Sequence, residues 1–229
     1  MDISIVISAH ENRGYIFECI DSIELAIKNF KGKCEIILAF DGDYTDPFLD
    51  KLMGYVDVIA PTGKQSNLAN NYNNAIKNAK GKYIKIMADD DLLDGQALQL
   101  LFDLAEKNNS DLVYSNYSAF GEKSFHYHTP IEDYKTFKNL VLARKIATGT
   151  CLFNTESFRN VEGFDESFDI AEGYCLFLKM LNSGYKNFDY LNYQSVYYRL
   201  HSKNKSKINN LIKKEYRENI MKQINKKYL

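Results

Sequence analysis

Short apolar runs rich in β-branched residues alternate with helix-period patterns through the first half of the chain, and few folds accept that alternation. Residues 3–7, ISIVI, read as a buried strand. Residues 14–28 place Ile16, Cys19, Ile20, Ile23 and Ile27 on one helical face. Further strands are predicted at 34–40 (CEIILAF), 56–60 (VDVIA, stopped by Pro61), 83–87 (YIKIM) and 111–115 (DLVYS). Helices are predicted at 67–79 and 95–107. This order implies a parallel sheet covered on both faces, with ligands bound beyond the carboxyl ends of the strands. Three polar stretches fall at such ends: AHENR (9–13), DGD (41–43) and DDD (89–91).

The second half is less regular. Residues 116–133 are polar and aromatic and read as a loop or an irregular hairpin, 134–146 and 171–183 as helical, and 195–200 (SVYYRL) as a strand. No internal repeat or Pro/Gly/Ser-rich linker divides the chain, so one compact domain is expected. Its 229 residues, 45% hydrophobic and 26% charged, suit that size. A net charge of −1 gives no global field for nucleic acid, so no nucleic-acid partner is expected.

Cys19, Cys34, Cys151 and Cys175 show neither CxxC nor metal-ligand spacing and read as free thiols of a reducing compartment. No signal-peptide pattern and no bilayer-length apolar stretch is seen, which predicts a cytoplasmic protein. The last segment is different. Residues 201–229 hold nine Lys/Arg and two Glu, a local charge of +7, with an amphipathic pattern. Two readings stand: a solvated helix packed on the domain, or peripheral contact with the inner face of a membrane.

Asp89, Asp90 and Asp91 follow directly on a predicted strand. Carboxylates at i and i+2 suit a hard cation, Mg²⁺ or Mn²⁺, shared with substrate phosphates. A helix follows, so capping and first-turn placement of Asp is the competing explanation.

ISIVISAHENR, CEIILAFDGDYTD, NAKGKYIKIMADDDLL, GTCLFNTESFRNVEGFDESFDIAEGY and YYRLH occur in that order over residues 2–202. This succession resembles glycosyltransferase family 2, the inverting enzymes of GT-A fold. The resemblance implies an α/β fold with a mixed, mostly parallel sheet sandwiched by helices in a single domain. It divides 1–202 into a nucleotide-sugar-binding half (1–115) and an acceptor half (116–202), followed by the basic helical tail (203–229).

Carried over residue by residue, Ala9, His10 and Glu11 match the loop beneath the nucleotide base, and Asp41 the carboxylate that accepts the base N–H. Asp89, Asp90 and Asp91 match the DxD region. Its first acidic position falls on Ala88, which leaves Asp91 or Asp90 as metal ligand and the others on ribose. Gly149 and Thr150 match a turn lining the donor–acceptor pocket. His201 matches a histidine that reaches metal or diphosphate in some members; by itself it reads as a packing histidine. Tyr72 or Asn73 stands where an Arg is common. Asn73 is a candidate diphosphate or sugar contact, with Arg13 and Lys64 as the remaining cations, although the asparagines of 65–75 equally suit caps and turns.

The chain departs from the family at the catalytic base. The usual Glu-Asp pair becomes Glu172-Gly173. Three alternatives stand open: Glu172 acts as base, Asp169 or Asp165 substitutes, or the chain binds nucleotide without efficient turnover. Glu172 is also a favourable charge at a helix start.

The expectation is a metal-dependent transferase moving a sugar from a nucleotide-sugar, UDP-linked, to a saccharide or lipid-linked saccharide in surface-polysaccharide synthesis. The rivals are an impaired nucleotide-binding scaffold and a nucleotidyltransferase. The latter needs a Gly-rich basic loop after the first strand, and SAHENRG has one Gly and one Arg.

Overall fold

The computed structural model describes residues 1–9, 14–43, 45–63, 67–204 and 214–229. His10, Glu11, Arg13 and Lys64 therefore lie outside the described residues.

Four parallel strands build the first half: β1 (Ile3–Ala9), β2 (Cys34–Phe40), β3 (Val58–Pro61) and β4 (Tyr83–Ala88). β1 is central, with Ile5 opposite Ile36 of β2 and Lys85 of β4. Crossovers run through α1 (Ile16–Asn29), the short α2 (Pro47–Asp50) and α3 (Leu68–Ile76). α1 buries Ile16, Cys19, Ile20, Ile23 and Ala26; Ala26 takes the place expected for Ile27, which is only partly buried.

Then come β5 (Leu92–Leu93), α4 (Ala97–Asn108), β6 (Leu112–Gly121), β7 (Phe125–Tyr127), α5 (Ile131–Tyr134) and α6 (Phe137–Leu142). A 3-10 turn at Thr148–Thr150 leads to β8 (Leu152–Asn154) and α7 (Thr155–Asn160). α8 (Glu172–Asn182), β9 (Phe188–Leu200) and the C-terminal α9 (Lys214–Tyr228) complete the chain.

Among the described residues the strands form one mixed sheet in the order β3-β2-β1-β4-β8-β6-β9-β5, with β7 paired on β6. β8 runs antiparallel between β4 and β6, and β9 runs parallel to β6. The purely parallel sheet read from the strand–helix alternation is thus corrected to the mixed sheet that the family resemblance implied. β8 has three residues and β5 two, too short for any periodicity to register. Residues 116–133 contain the β6–β7 hairpin, and β9 is longer than the predicted 195–200. Register shifts at Ser115 to Tyr117 break the alternation that would have announced it.

Side chains alternate across the sheet. Ile3, Ile5 and Ile7 pack with α1 and α4, whereas Val6 joins a second cluster with α3, α6 and α8. α9 closes that second side: Met221 is 9% and Ile224 0% exposed, within the same cluster. Met221 and Ile224 of the tail therefore pack on the domain, as the first of the two readings of this segment expects for them, while Lys222 and Lys226 stay exposed. Among the described residues no helix is long and apolar enough to cross a membrane.

Candidate active site

The carboxyl ends of β1, β2 and β4 meet at one edge. The backbone N–H of Asp41 donates to the Ala9 carbonyl (2.9 Å), and that of Asp89 to the Ser8 carbonyl (3.2 Å). Asn71 on α3 ties the same ends from below, donating to Ser8 Oγ (3.2 Å) and the Ala39 carbonyl (3.0 Å).

Asp89, Asp90 and Asp91 are all buried. They do not cap a helix: the N-cap of α4 is Gln96, and Asp94 accepts the Gln96 N–H (2.9 Å). Strand β5 separates the triplet from that helix. The end of β9 and the residues just after it hold Asp90 and Asp91 instead. The Arg199 backbone N–H donates to Asp91 Oδ1 (2.9 Å), and Arg199 Nε donates to the Asp90 carbonyl (2.9 Å). His201 Nε2 lies 2.9 Å from Asp90 Oδ2, and Asn204 Nδ2 donates to the same oxygen (3.4 Å).

The guanidinium of Arg199 sits over the rings of Tyr15 (4.5 Å) and Phe120 (4.6 Å) and pairs with Glu18 (2.7 Å). Nothing in the sequence singled out Arg199 beyond its place in YYRLH. Burial, and next the charge of Asp90, pushes the Asp91 carboxyl above its ordinary range, against the Arg199 hydrogen bond.

Tyr72, buried on α3, donates to the Met87 carbonyl (3.0 Å). Burial first, and then the charges of Asp89, Asp91, Glu172 and Asp90, push its hydroxyl well above the ordinary phenol range. One phenol thus feels both the acidic strand end and Glu172, the first residue of α8. Asn73 turns elsewhere: Nδ2 donates to the Phe164 carbonyl (2.9 Å) and Glu166 Oε1 (2.8 Å), and Oδ1 accepts the Phe164 N–H (2.9 Å). Its amide is tied to the 164–166 loop.

The 3-10 turn joins this assembly from below. Lys85, fully buried in β4, donates to the Gly149 carbonyl, and burial lowers its ammonium to about 8. The Thr150 carbonyl accepts from Ser115 Oγ (3.0 Å). Thr148 of this turn faces Gly173: a Cβ on Gly173 would lie 1.8 Å from Thr148 Oγ1. Two of the alternative bases are tied to the C-terminal helix. Asp169 accepts from Tyr216 Oη (2.9 and 2.8 Å), and Asp165 from Lys227 Nζ (2.7 Å) and Tyr228 Oη.

The mixed, mostly parallel sheet covered by helices is that of a GT-A fold. Residues 4–168 match the family described as Glycosyl transferase family 2, and the chain belongs to it, which makes it a transferase of that fold. Among solved structures, S. aureus TarS 1–349 in complex with UDP-GlcNAc superposes with a TM-score of 0.71 at 16% identity, over 89% of this chain and 60% of that one. Among sequences, the chain is 34% identical over 119 residues to the poly(ribitol-phosphate) beta-glucosyltransferase of Bacillus spizizenii (49% of this chain, 18% of that protein). It is 28% identical over 139 residues to glycosyltransferase GlyG of Streptococcus pneumoniae serotype 4 (58% of this chain, 45% of that protein). The chain therefore spans less than half the length of either relative.

Proposed function

We propose that the chain moves a sugar from a UDP-sugar to a saccharide or lipid-linked saccharide acceptor of a surface polymer, with inversion at the anomeric carbon. The observation that carries this reading is the burial of Asp89, Asp90 and Asp91 at the carboxyl end of β4, where Arg199 of β9 and His201 just after it bond Asp91 and Asp90. The UDP-GlcNAc bound by TarS and the polymer in the Bacillus enzyme's name support the choice of donor and acceptor class.

The donor set suits Mg²⁺ or Mn²⁺: Asp90 and Asp91 are adjacent buried carboxylates whose charges oppose one another, which a divalent cation relieves. Among the described residues no three or more His, Cys, Asp or Glu side chains form a metal group, and a pair leaves positions for phosphate oxygens and water. Asp91 and Asp90 would hold the ion, with His201 orienting Asp90. Bound there, it stabilises charge on the departing diphosphate. Asp89 and Asp41 would take ribose and base.

The acceptor hydroxyl attacks the anomeric carbon opposite the leaving group. The bond from that carbon to the phosphate oxygen breaks, and its electron pair leaves with UDP. The acceptor proton passes to Glu172, the first residue of α8 and the acidic residue kept of the family's usual Glu-Asp pair; Asp165 and Asp169 are bonded by α9. Titration with UDP, with and without Mn²⁺, tests the donor site; binding unaffected by the metal would sink the metal assignment. Glu172→Gln is expected to lower turnover roughly 10²- to 10⁴-fold while leaving UDP affinity in place.

The contact of Thr148 with Gly173 favours a second reading, a scaffold that binds nucleotide without turnover, since the family's usual base position is filled. Binding of UDP with no hydrolysis of UDP-GlcNAc or UDP-glucose would select it. Peripheral membrane contact, if made by α9, rests on charges such as Lys222 and Lys226; sedimentation with anionic vesicles that vanishes at high salt is its test.

A further inference from the structure

Resting on the reading of Glu172 as base, we propose that Asp165 is a positioning residue through which the C-terminal helix holds the loop that carries Glu172 in place.

Four donors converge on this one buried carboxylate. Lys227 Nζ donates to Oδ2 at 2.7 Å and Tyr228 Oη donates to the same oxygen, while Oδ1 accepts the Ser167 N–H (3.1 Å) and hydroxyl. Burial raises the carboxyl, but the bonds from Lys227, Ser167 and Tyr228 outweigh it and hold it well below the usual carboxylate range. Lys227 also lies 5.5 Å over the Phe168 ring. At the other end of the loop Tyr216 holds Asp169, and Tyr174, two residues past Glu172, donates to Asn225 Oδ1 (3.1 Å). α9 therefore grips the segment before, within and after the bend that sets Glu172.

Ala171, immediately before Glu172, has φ +63°, a left-handed conformation that costs a non-glycine residue energy. Such residues persist where the surroundings over-determine them. A partly buried ion pair adds little net stability, because desolvation offsets the attraction. What four converging donors supply is a defined geometry, and misplacing a catalytic group by about 1 Å can cost on the order of 100-fold in rate.

Asp165→Asn, Lys227→Met and Tyr228→Phe test the proposal by hydrogen exchange and kinetics on the full chain. Amides of 166–174 should exchange roughly tenfold faster in each, with those of β4 unchanged. Hydrolysis of UDP-GlcNAc or UDP-glucose should lose about tenfold in kcat with UDP affinity retained. Lys227→Arg should restore both. Exchange unmoved in all three variants, or raised equally in β4, overturns the proposal. If Glu172→Gln leaves turnover intact, the base reading fails, and the exchange result still decides whether α9 holds the loop.

Discussion

The backbone N–H of Arg199 donates to Oδ1 of Asp91 at 2.9 Å, joining residues 108 positions apart. Through this bond the last strand to enter the sheet fixes the acidic turn that ends β4. Arg199 reinforces it with its side chain, which bonds the Asp90 carbonyl and Glu18.

Arg199→Ala keeps the amide but strips the guanidinium from Glu18, the Asp90 carbonyl, Tyr15 and Phe120. The exposed Glu18 pair contributes little, so the carbonyl bond and ring contacts dominate, and a loss of about 1–3 kcal/mol is expected. UDP affinity in Mn²⁺ should fall with it. Arg199→Lys should recover only part, since an ammonium cannot reproduce the guanidinium fork. Scanning calorimetry and titration calorimetry read the two effects; unchanged Tm and UDP affinity in the alanine variant would refute this role.

Gly173→Ala forces the Thr148 hydroxyl to turn away, because the new Cβ would meet it at 1.8 Å. Overpacking of this kind costs about 1–3 kcal/mol. Adding Thr148→Ala should recover most of that loss, giving a favourable coupling in a double-mutant cycle measured by urea unfolding. Gly173→Asp alone should consequently fail to install a working base.

Lys85 carries a stability signature in pH. Burial lowers its folded-state value to about 8 from 10.5, so between these values the unfolded chain binds more protons and this residue's contribution to stability rises with pH. Below pH 8 the buried charge is a net penalty of about 3 kcal/mol. Cys34 and Cys175, raised to about 12 chiefly by burial, act oppositely above pH 9, so the informative quantity is the difference from Lys85→Met. That variant should be the more stable at pH 7.5, with the advantage shrinking by pH 10. A constant difference in urea midpoints would show that Lys85 does not titrate there.

Ile224→Ala should cost about 2–5 kcal/mol, since the side chain is fully buried between α9 and the domain. Exposed Lys222→Gln should stay within about 0.5 kcal/mol. Equal effects in thermal unfolding would mean that α9 does not pack on the domain.

Apart from the short α2 and β5, the succession of strand and helix over the first 115 residues was legible because each buried face repeats with its own period, and Ile3, Ile5 and Ile7 announce β1 without help. So was the acidic edge, since DGD and DDD follow strands of such a sheet. β8 was not legible: three residues carry no period, and Leu152 and Phe153 belong to a strand only because β4 and β6 leave a slot between them. The chain alone could not say whether Asp89–Asp91 cap the helix that follows or are held away from it. That depended on Arg199, His201 and Asn204, whose approach is a matter of long-range pairing. Nor could local pattern say that the Asn73 amide bonds residues 164–166 or that Met221 and Ile224 pack on the domain, since those partners lie far along the chain. Local periodicity is written in neighbouring residues, so the sequence by itself determined the elements and the acidic edge. Which side chains meet across 100 positions depends on how the elements pack, and only the tertiary structure decided that.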